Sequence, residues 1–401
     1  MNKKTLLLLV VLLTTLRISA QQPKYVFLFI GDGMGLAQVA AAEAYLSAKD
    51  NVIGNKYISF SYFPVIGLST TFSANSFVTC SSAAATALAC GFKTNNGMLN
   101  ISPSGDTLRP ITYKLRDAGY KIGIATTVSI DHATPAGFYA ASTKRNDYYS
   151  IAQQLPLSRF NFFAGGGFLE PKGKKGGQTD VREALTKAGY TIVRNPQDAT
   201  AGKDKLVLFQ AEDRGTAVPD AIRRQPDDLT LPQITEAAIR LLDNETGFFV
   251  MIEGGKIDWS CHANDGAAAV YETLDFANAV QVAVEFYKKH PQETLIIVTA
   301  DHETGGMGLN LDQKDGLLLI DQKNDSKQVD ANTYMDTREK EEKETLARQN
   351  KQIGFGWTTD DHTGVAVPVY AIGAGSEMFG GKMDNTDIPK RICKAMGVEF
   401  N

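Results

Sequence analysis

Only five histidines occur in the 401 residues, and three of them, His132, His302 and His362, directly follow an aspartate. His262 stands four residues after Asp258, a spacing that puts both side chains on one helix face. His290 closes a Lys-Lys-His run and reads as an ordinary surface residue. Asp32 lies in Gly31-Asp32-Gly33-Met34-Gly35, Glu253 opens Glu253-Gly254-Gly255, and Asp301 precedes His302. Each alone has a plain explanation: Asp between glycines suits a turn, and an Asp-His pair is commonly a local hydrogen bond. Together they offer mixed nitrogen and oxygen donors that suit zinc, with a carboxylate-rich neighbour suited to magnesium. No cysteine sits among them, which points to an open catalytic site and not a closed structural zinc.

A nucleophile is offered by Val78–Thr86, where Ser81 and Ser82 open an alanine-rich run. Its plain reading is a helix packed closely on a sheet. A serine in the first turn of such a helix also faces free N–H groups and the positive end of the dipole. A metal at the same place activates the hydroxyl without a separate base. Magnitude favours metals for phosphate esters, whose hydrolysis needs accelerations of up to about 10²¹. General acid–base catalysis supplies only about 10²–10⁴ of that.

These residues need elements to hold them. Lys24–Ile30, Lys121–Thr127, Leu206–Gln210, Gly247–Ile252, Thr294–Thr299 and Val367–Ile372 are short apolar runs that read as buried strands. Helical patterns at Ala37–Ser47, Pro232–Asp243 and Ala267–Lys289 alternate with them. The alternation predicts an α/β fold, a three-layer α/β/α sandwich with a largely parallel central sheet. Asp32, Glu253 and Asp301 then leave different strands at one edge, and Asp361-His362-Thr363-Gly364 precedes what reads as the last strand. Ligands of open α/β sheets lie beyond that edge.

The remaining features bound the setting. Lys3 and Lys4, the apolar run Leu6–Leu13 and Ile18-Ser19-Ala20 have the order of a signal peptide spanning residues 1–20. The apolar run is far short of the roughly 20 residues of a spanning helix. An exported protein, periplasmic or secreted, is therefore expected to begin near Gln21 as a single catalytic domain over 21–401, with no membrane span. Formal charge is −4 and there is no basic stripe, so nucleic acid is not expected as the main partner. Four sparse cysteines make no disulfide framework, and whether any pair forms stays open. Pro171–Gly177 reads as a flexible loop, and residues 312–352 as a charged surface excursion with a solvated helix face.

The motifs FIGDGMG, SSAAATALACGFKTNNG, HATPAG, IEGGKIDWSCH, VTADH and DHTG, in this order, resemble the alkaline phosphatase family. The resemblance is close over Tyr25–Phe163 and Gly247–Gly397. It implies hydrolysis of phosphate monoesters through a phosphoserine on Ser81, releasing inorganic phosphate from small phosphorylated substrates. Asp258, His262 and His362 would hold one zinc, and Asp32, Asp301 and His302 a second. Asp32 would bridge to a third site with Thr134 and Glu253, usually magnesium. Arg145, eleven residues after Thr134, would grip two phosphate oxygens with its planar fork. The family is often dimeric, which leaves homodimer and monomer both open.

Three residues depart from the family pattern. Cys80 replaces the aspartate that commonly precedes the nucleophile, so the positioning of Arg145 and the choice of Ser81 over Ser82 both need the structure. His132 stands where some members have Asp, close to the third metal site, and leaves the identity of that metal open. Trp259 follows Asp258 where a lysine or histidine often approaches phosphate. The competing readings are a phosphodiesterase or sulfatase of the same superfamily, and a catalytically impaired phosphate- or metal-binding protein. Diesterases usually carry Thr as nucleophile and lack the third site; sulfatases need x-Pro-x-Arg after the nucleophile, which is absent here.

Overall fold

The computed structural model describes residues 22–200, 204–310, 314–322 and 339–400. The proposed signal peptide and part of the 312–352 excursion lie outside the described residues. Among the described residues, no helix is long and apolar enough to cross a membrane.

Among the described residues fourteen strands are numbered in chain order, and ten of them form one sheet, β14-β2-β13-β8-β1-β7-β3-β4-β6-β5. Its centre is β1 (Tyr25–Gly31) between β7 (Phe248–Gly254) and β8 (Thr294–Thr299), both parallel to it. β3 (Lys121–Thr126), β4 (Phe162–Gly165), β6 (Leu206–Phe209) and β5 (Thr191–Val193) continue in parallel on one side. On the other side β13 (Val367–Gly373) runs against β8 and β2 (Val65–Thr70), and β14 (Gly381–Asp384) closes the sheet beside β2.

The central strands are apolar throughout because both faces are covered. Tyr25, Phe27 and Phe29 enter one core and Val26, Leu28 and Ile30 the other. The first face is covered by the helices Leu231–Leu242 and Gly266–Lys289, with Phe276, Val280 and Phe286 in its core. The helices Ser81–Cys90, Ile111–Asp117, Tyr148–Ser158 and Asp387–Ala395 cover the second. This is the expected three-layer α/β/α sandwich.

Two expectations change. Val367–Gly373 is not the last strand, since the short β14 follows it. It is also antiparallel, so the chain enters it at the edge where the parallel strands end, and that direction brings Asp361 and His362 to the other acidic and imidazole side chains. The charged excursion is only partly solvated. Its helix Lys340–Ile353 buries Leu346, Asn350 and Ile353, and Asn350 donates to the Asn264 carbonyl at 2.6 Å.

A buried ionic cluster pins the helix after β7. Lys256 is 1% exposed, contacts the Asp220 carboxylate and donates to the Val218 carbonyl at 3.2 Å. Asp220 also meets Arg223. Burial alone would raise the Asp220 carboxyl, but Lys256 and Arg223 hold it below the usual range. Removing one partner of such a pair strands a buried charge at a cost of about 3–5 kcal/mol. Lys256→Met is therefore expected to lose stability of that order near neutral pH. The lowered carboxyl contributes stability that is present above its unfolded value of 3.8 and lost as pH falls through its folded value. Urea unfolding at neutral and acid pH should show the wild-type advantage narrowing in acid.

Candidate metal-centred active site

Cys80 caps the Ser81–Cys90 helix with extended backbone, so Ser81 is its first residue and points out of the N-terminus. The helix is buried along its whole length, and its alanines permit close approach: a Cβ at Gly137 would lie 2.7 Å from that of Ala85. Ser81 Oγ lies 3.2 Å from His302 Nε2, whereas Ser82 Oγ turns to Cys80 Sγ at 3.2 Å. Of the two serines, only Ser81 reaches the imidazoles.

Two clusters of donors adjoin this hydroxyl. In the first, Asp32, Asp301 and His302 follow β1 and β8; His302 Nε2 is 3.4 Å from Asp32 Oδ1 and 3.1 Å from Asp301 Oδ2. In the second, Asp258 and His262 sit one turn apart on the Lys256–His262 helix. Asp258 Oδ1 lies 3.4 Å from His262 Nε2 and 3.7 Å from His362 Nε2, and those two nitrogens are 3.1 Å apart. His302 and His362 stack with ring centroids 3.5 Å apart, so the clusters are neighbours. Asp361 also comes within reach of His262 and His362.

The third group lies under Asp32. Thr134, in the short turn Ala133–Ala136, donates to Asp32 Oδ2 at 3.3 Å, and Glu253 at the end of β7 accepts from Thr126. His132 is buried beside it, its ring edge-on to Trp259 at 5.8 Å. Burial, then Arg145, push its imidazole down to about 3. Arg145 itself is half-buried, its backbone N–H donating to the Gly97 carbonyl at 2.9 Å. Cys80 Sγ accepts from Gly97 N–H at 3.2 Å. Burial would raise the Cys80 thiol, yet the Arg145 guanidinium, with Ser82, draws it below its usual range. Arg145 and Cys80 are thus brought together beside Ser81.

Hydrogen bonds aim the imidazoles. His262 Nδ1 donates to the Asp360 carbonyl at 2.6 Å and His362 Nδ1 to the Thr79 carbonyl at 2.8 Å. The Thr304 hydroxyl donates to Asp258 Oδ1 at 2.5 Å and accepts from His302 Nδ1 at 3.2 Å. Every Nε2 is left facing the cluster, as metal-binding imidazoles require. These aiming groups were not visible in the sequence motifs. Thr304 owes its place to the pairing of Glu303–Thr304 with His362–Thr363. Glu303 accepts from Gln38, Gly306 N–H and Thr363, tying three ligand-bearing segments together. Gly33 has φ of +72° and would place a Cβ 2.8 Å from Asp258 Cα, so only glycine allows β1 to turn beneath that ligand.

The donor set fits divalent cations. Asp32, Glu253, Asp258 and Asp301 are all at most 3% exposed. Among the described residues, Asp32 Oδ1, Asp301 Oδ2 and Glu253 Oε1 find no hydrogen-bond donor. Such carboxylates are costly to bury without a cation. Burial, then Asp301, Asp258 and Glu253, raises Asp32 well above its ordinary value, and burial pushes Glu253 up to about 8. Asp258 goes the other way: burial opposes ionisation, but His262, His362 and His302 hold it well below the carboxylate range.

Adjoining clusters of metal donors beside a serine hydroxyl suit in-line displacement at phosphorus, where entering and departing oxygens both need positive charge. That is the chemistry of metal-assisted phosphoester hydrolases. The family model described as alkaline phosphatase matches residues 23–398, and the chain belongs to that family of phosphoric monoester hydrolases. It is 32% identical to alkaline phosphatase 3 of Bacillus subtilis, over 93% of this chain and 89% of that one. Streptomycin-6-phosphate phosphatase of Streptomyces griseus is 31% identical over 93% and 90%. The structure of alkaline phosphatase from the Antarctic bacterium TAB5 superposes with a TM-score of 0.75, at 31% identity over 95% and 99% of the two chains. A histidine-to-glutamate mutant of that enzyme (TM-score 0.76, 31% identity, 95% and 100% covered) has magnesium bound in its M3 site.

Two outcomes follow from the geometry. Groups whose folded pKa is raised contribute stability that is present below the unfolded value and lost as pH rises through the folded one. Chelator-stripped protein should therefore lose thermal stability as pH climbs from the ordinary Glu value of 4.5 through about 8, as Glu253 ionises with Asp32. Metal-loaded protein should lose far less, and melting curves at both pH values with and without metals would decide it. Thr304→Val should weaken metal binding about 10–100-fold by releasing His302 and Asp258. Competition with a chelator measures this, and an unchanged affinity would refute the aiming role.

Proposed function

We propose that the chain is an exported phosphomonoesterase, with a signal peptide over residues 1–20 and a single catalytic domain over 21–401. Small phosphorylated molecules are its substrates. Asp258, His262 and His362 would hold one zinc, Asp32, Asp301 and His302 another, and Asp32, Thr134 and Glu253 a magnesium. When bound, these ions supply positive charge that acidifies the serine hydroxyl and neutralises the departing oxygen. His132 supports the third site from behind, as a neutral imidazole against Trp259.

The remaining steps belong to the chain's own groups. Arg145 binds two phosphoryl oxygens through its fork and orients phosphorus toward Ser81. The free N–H groups at the start of the Ser81–Cys90 helix favour the same negative charge. Ser81 Oγ gives up its proton to solvent and attacks phosphorus, the P–O bond to the alcohol breaks, and the alcohol leaves on the side of His262, taking a proton from water. Water then loses a proton and attacks the phosphoserine from that side, the P–O bond to Ser81 breaks, Ser81 Oγ regains a proton, and inorganic phosphate departs. Cys80 lacks the full negative charge of a carboxylate beside Arg145, so phosphate is held more loosely.

The observation that carries this reading is Ser81 Oγ at a helix N-terminus, 3.2 Å from His302 Nε2 and beside two adjoining donor clusters. Protein beginning at Gln21 should cleave p-nitrophenyl phosphate at alkaline pH, lose activity with chelator and regain it with zinc and magnesium. The bis-ester and the sulfate should be much poorer substrates; faster bis-ester cleavage would replace the reading with a phosphodiesterase. Ser81→Ala should lower turnover by roughly 10³–10⁶-fold with metal content retained. Phosphate trapped by acid quench on a peptide lacking Ser81 would sink the assignment.

A further inference from the structure

Two carboxylates share one pair of imidazoles at the outer side of the site. His262 Nε2 and His362 Nε2 lie 3.1 Å apart. Asp258 Oδ1 meets them at 3.4 and 3.7 Å from within, on a residue that is 3% exposed. Asp361 is exposed to solvent, and its carboxylate stands with the same two imidazoles, the three donor atoms all within 4.8 Å of one another. Its backbone and side chain are both anchored there. Asp361 Oδ1 accepts from the His362 N–H at 2.8 Å, and the Asp361 carbonyl accepts from the Gly305 N–H at 2.9 Å. Donors about 2.0–2.2 Å from a zinc ion stand about 3.3–3.6 Å apart in a tetrahedron, so small side-chain rotations suffice to gather this outer set.

A neutral imidazole has one acceptor nitrogen, so the pair serves one cation at a time. Permanent binding by Asp361 as well as Asp258 would give four protein ligands, the closed coordination of a structural site. Phosphoryl transfer needs a position left open for water and the departing oxygen. Asp361 therefore has the donors of a cation site without the place of a permanent ligand. We propose that Asp361, His262 and His362 form an outer docking site for a divalent cation, from which the two imidazoles pass it inward to Asp258 and through which it leaves. The inference rests on the assignment of a cation to Asp258, His262 and His362 in the phosphomonoesterase reading. A stopping place that belongs to neither end state eases entry and exit equally, so it changes rates and leaves affinity alone.

Cobalt(II) is the probe, because it takes the same nitrogen and oxygen donors as zinc and its visible absorption reports binding without catalysis. Loaded protein is mixed with excess chelator, and stripped protein with cobalt; the phase that His262→Ala removes belongs to this site. Asp361→Asn keeps an oxygen for the His362 N–H and removes the anionic donor. Release and loading should both slow at least about tenfold in this variant, with the dissociation constant within about twofold of the wild type. The slowing should persist in roughly 0.5 M salt, which screens simple attraction by an exposed carboxylate. Unchanged rates, or slowing that vanishes in salt, would overturn the inference and leave the phosphomonoesterase reading standing. Weaker binding with faster release would do the same, by making Asp361 a permanent ligand of the inner cation. A cobalt signal with no phase removed by His262→Ala would overturn it together with the cation assignment on which it rests.

Discussion

Four buried carboxylates at one edge of a sheet are the constraint around which this molecule is arranged. Asp32, Glu253, Asp258 and Asp301 repel one another and are stripped of water, so in the absence of cations Asp32 and Glu253 are driven toward their neutral forms. Only Asp258, facing three imidazoles, and Asp301, against His302, escape that pressure. An apolar interior tolerates such a set when cations neutralise it. Cations bound at this edge would couple their binding to folding, because they would relieve the repulsion of the four carboxylates.

Holding that edge takes more of the fold than the ligands themselves. Glu303 and Gln38 join the turn after β1 to the paired segments carrying His302 and His362, and Gly35 is forced by the approach of Glu303 to within 2.4 Å of where its Cβ would be. Lys256 fastens the start of the helix bearing Asp258 and His262 to a separate loop through Asp220. β13 runs against its neighbours, which delivers His362 to the edge where the parallel strands end. A parallel strand there would have placed His362 at the opposite end of the sheet.

Much of this was legible in the sequence. The apolar runs marked β1, β3, β6, β7, β8 and β13 to within a residue or two at each end, because a strand buried on both faces has few polar positions. The helices Leu36–Lys49, Leu231–Leu242 and Gly266–Lys289 agreed equally well with their periodicity. β4, β5 and β14 were not visible, three or four residues giving little pattern, and the six-residue β2 was missed because it exposes Ile66 and Leu68 where a buried strand would not. The acidic and imidazole donors stood out because three histidines follow aspartates and strand ends have glycine-rich turns. The sequence could not separate Ser81 from Ser82 by position alone; in the fold it is the Ser81 hydroxyl that approaches His302.

By itself the sequence determined the kinds of donor, their order along the chain and the layered fold that gathers strand ends at one edge. Tertiary structure alone decided how the donors group, which nitrogen each imidazole presents, and what lies beside them. The reason is range: His362 is aimed by a carbonyl 283 positions away and His262 by one 98 positions away. Contacts of that separation leave no periodic trace in the chain. The same holds for Lys340–Ile353, whose charged sequence reads as a solvated surface, and whose Leu346 and Ile353 are buried only in the fold.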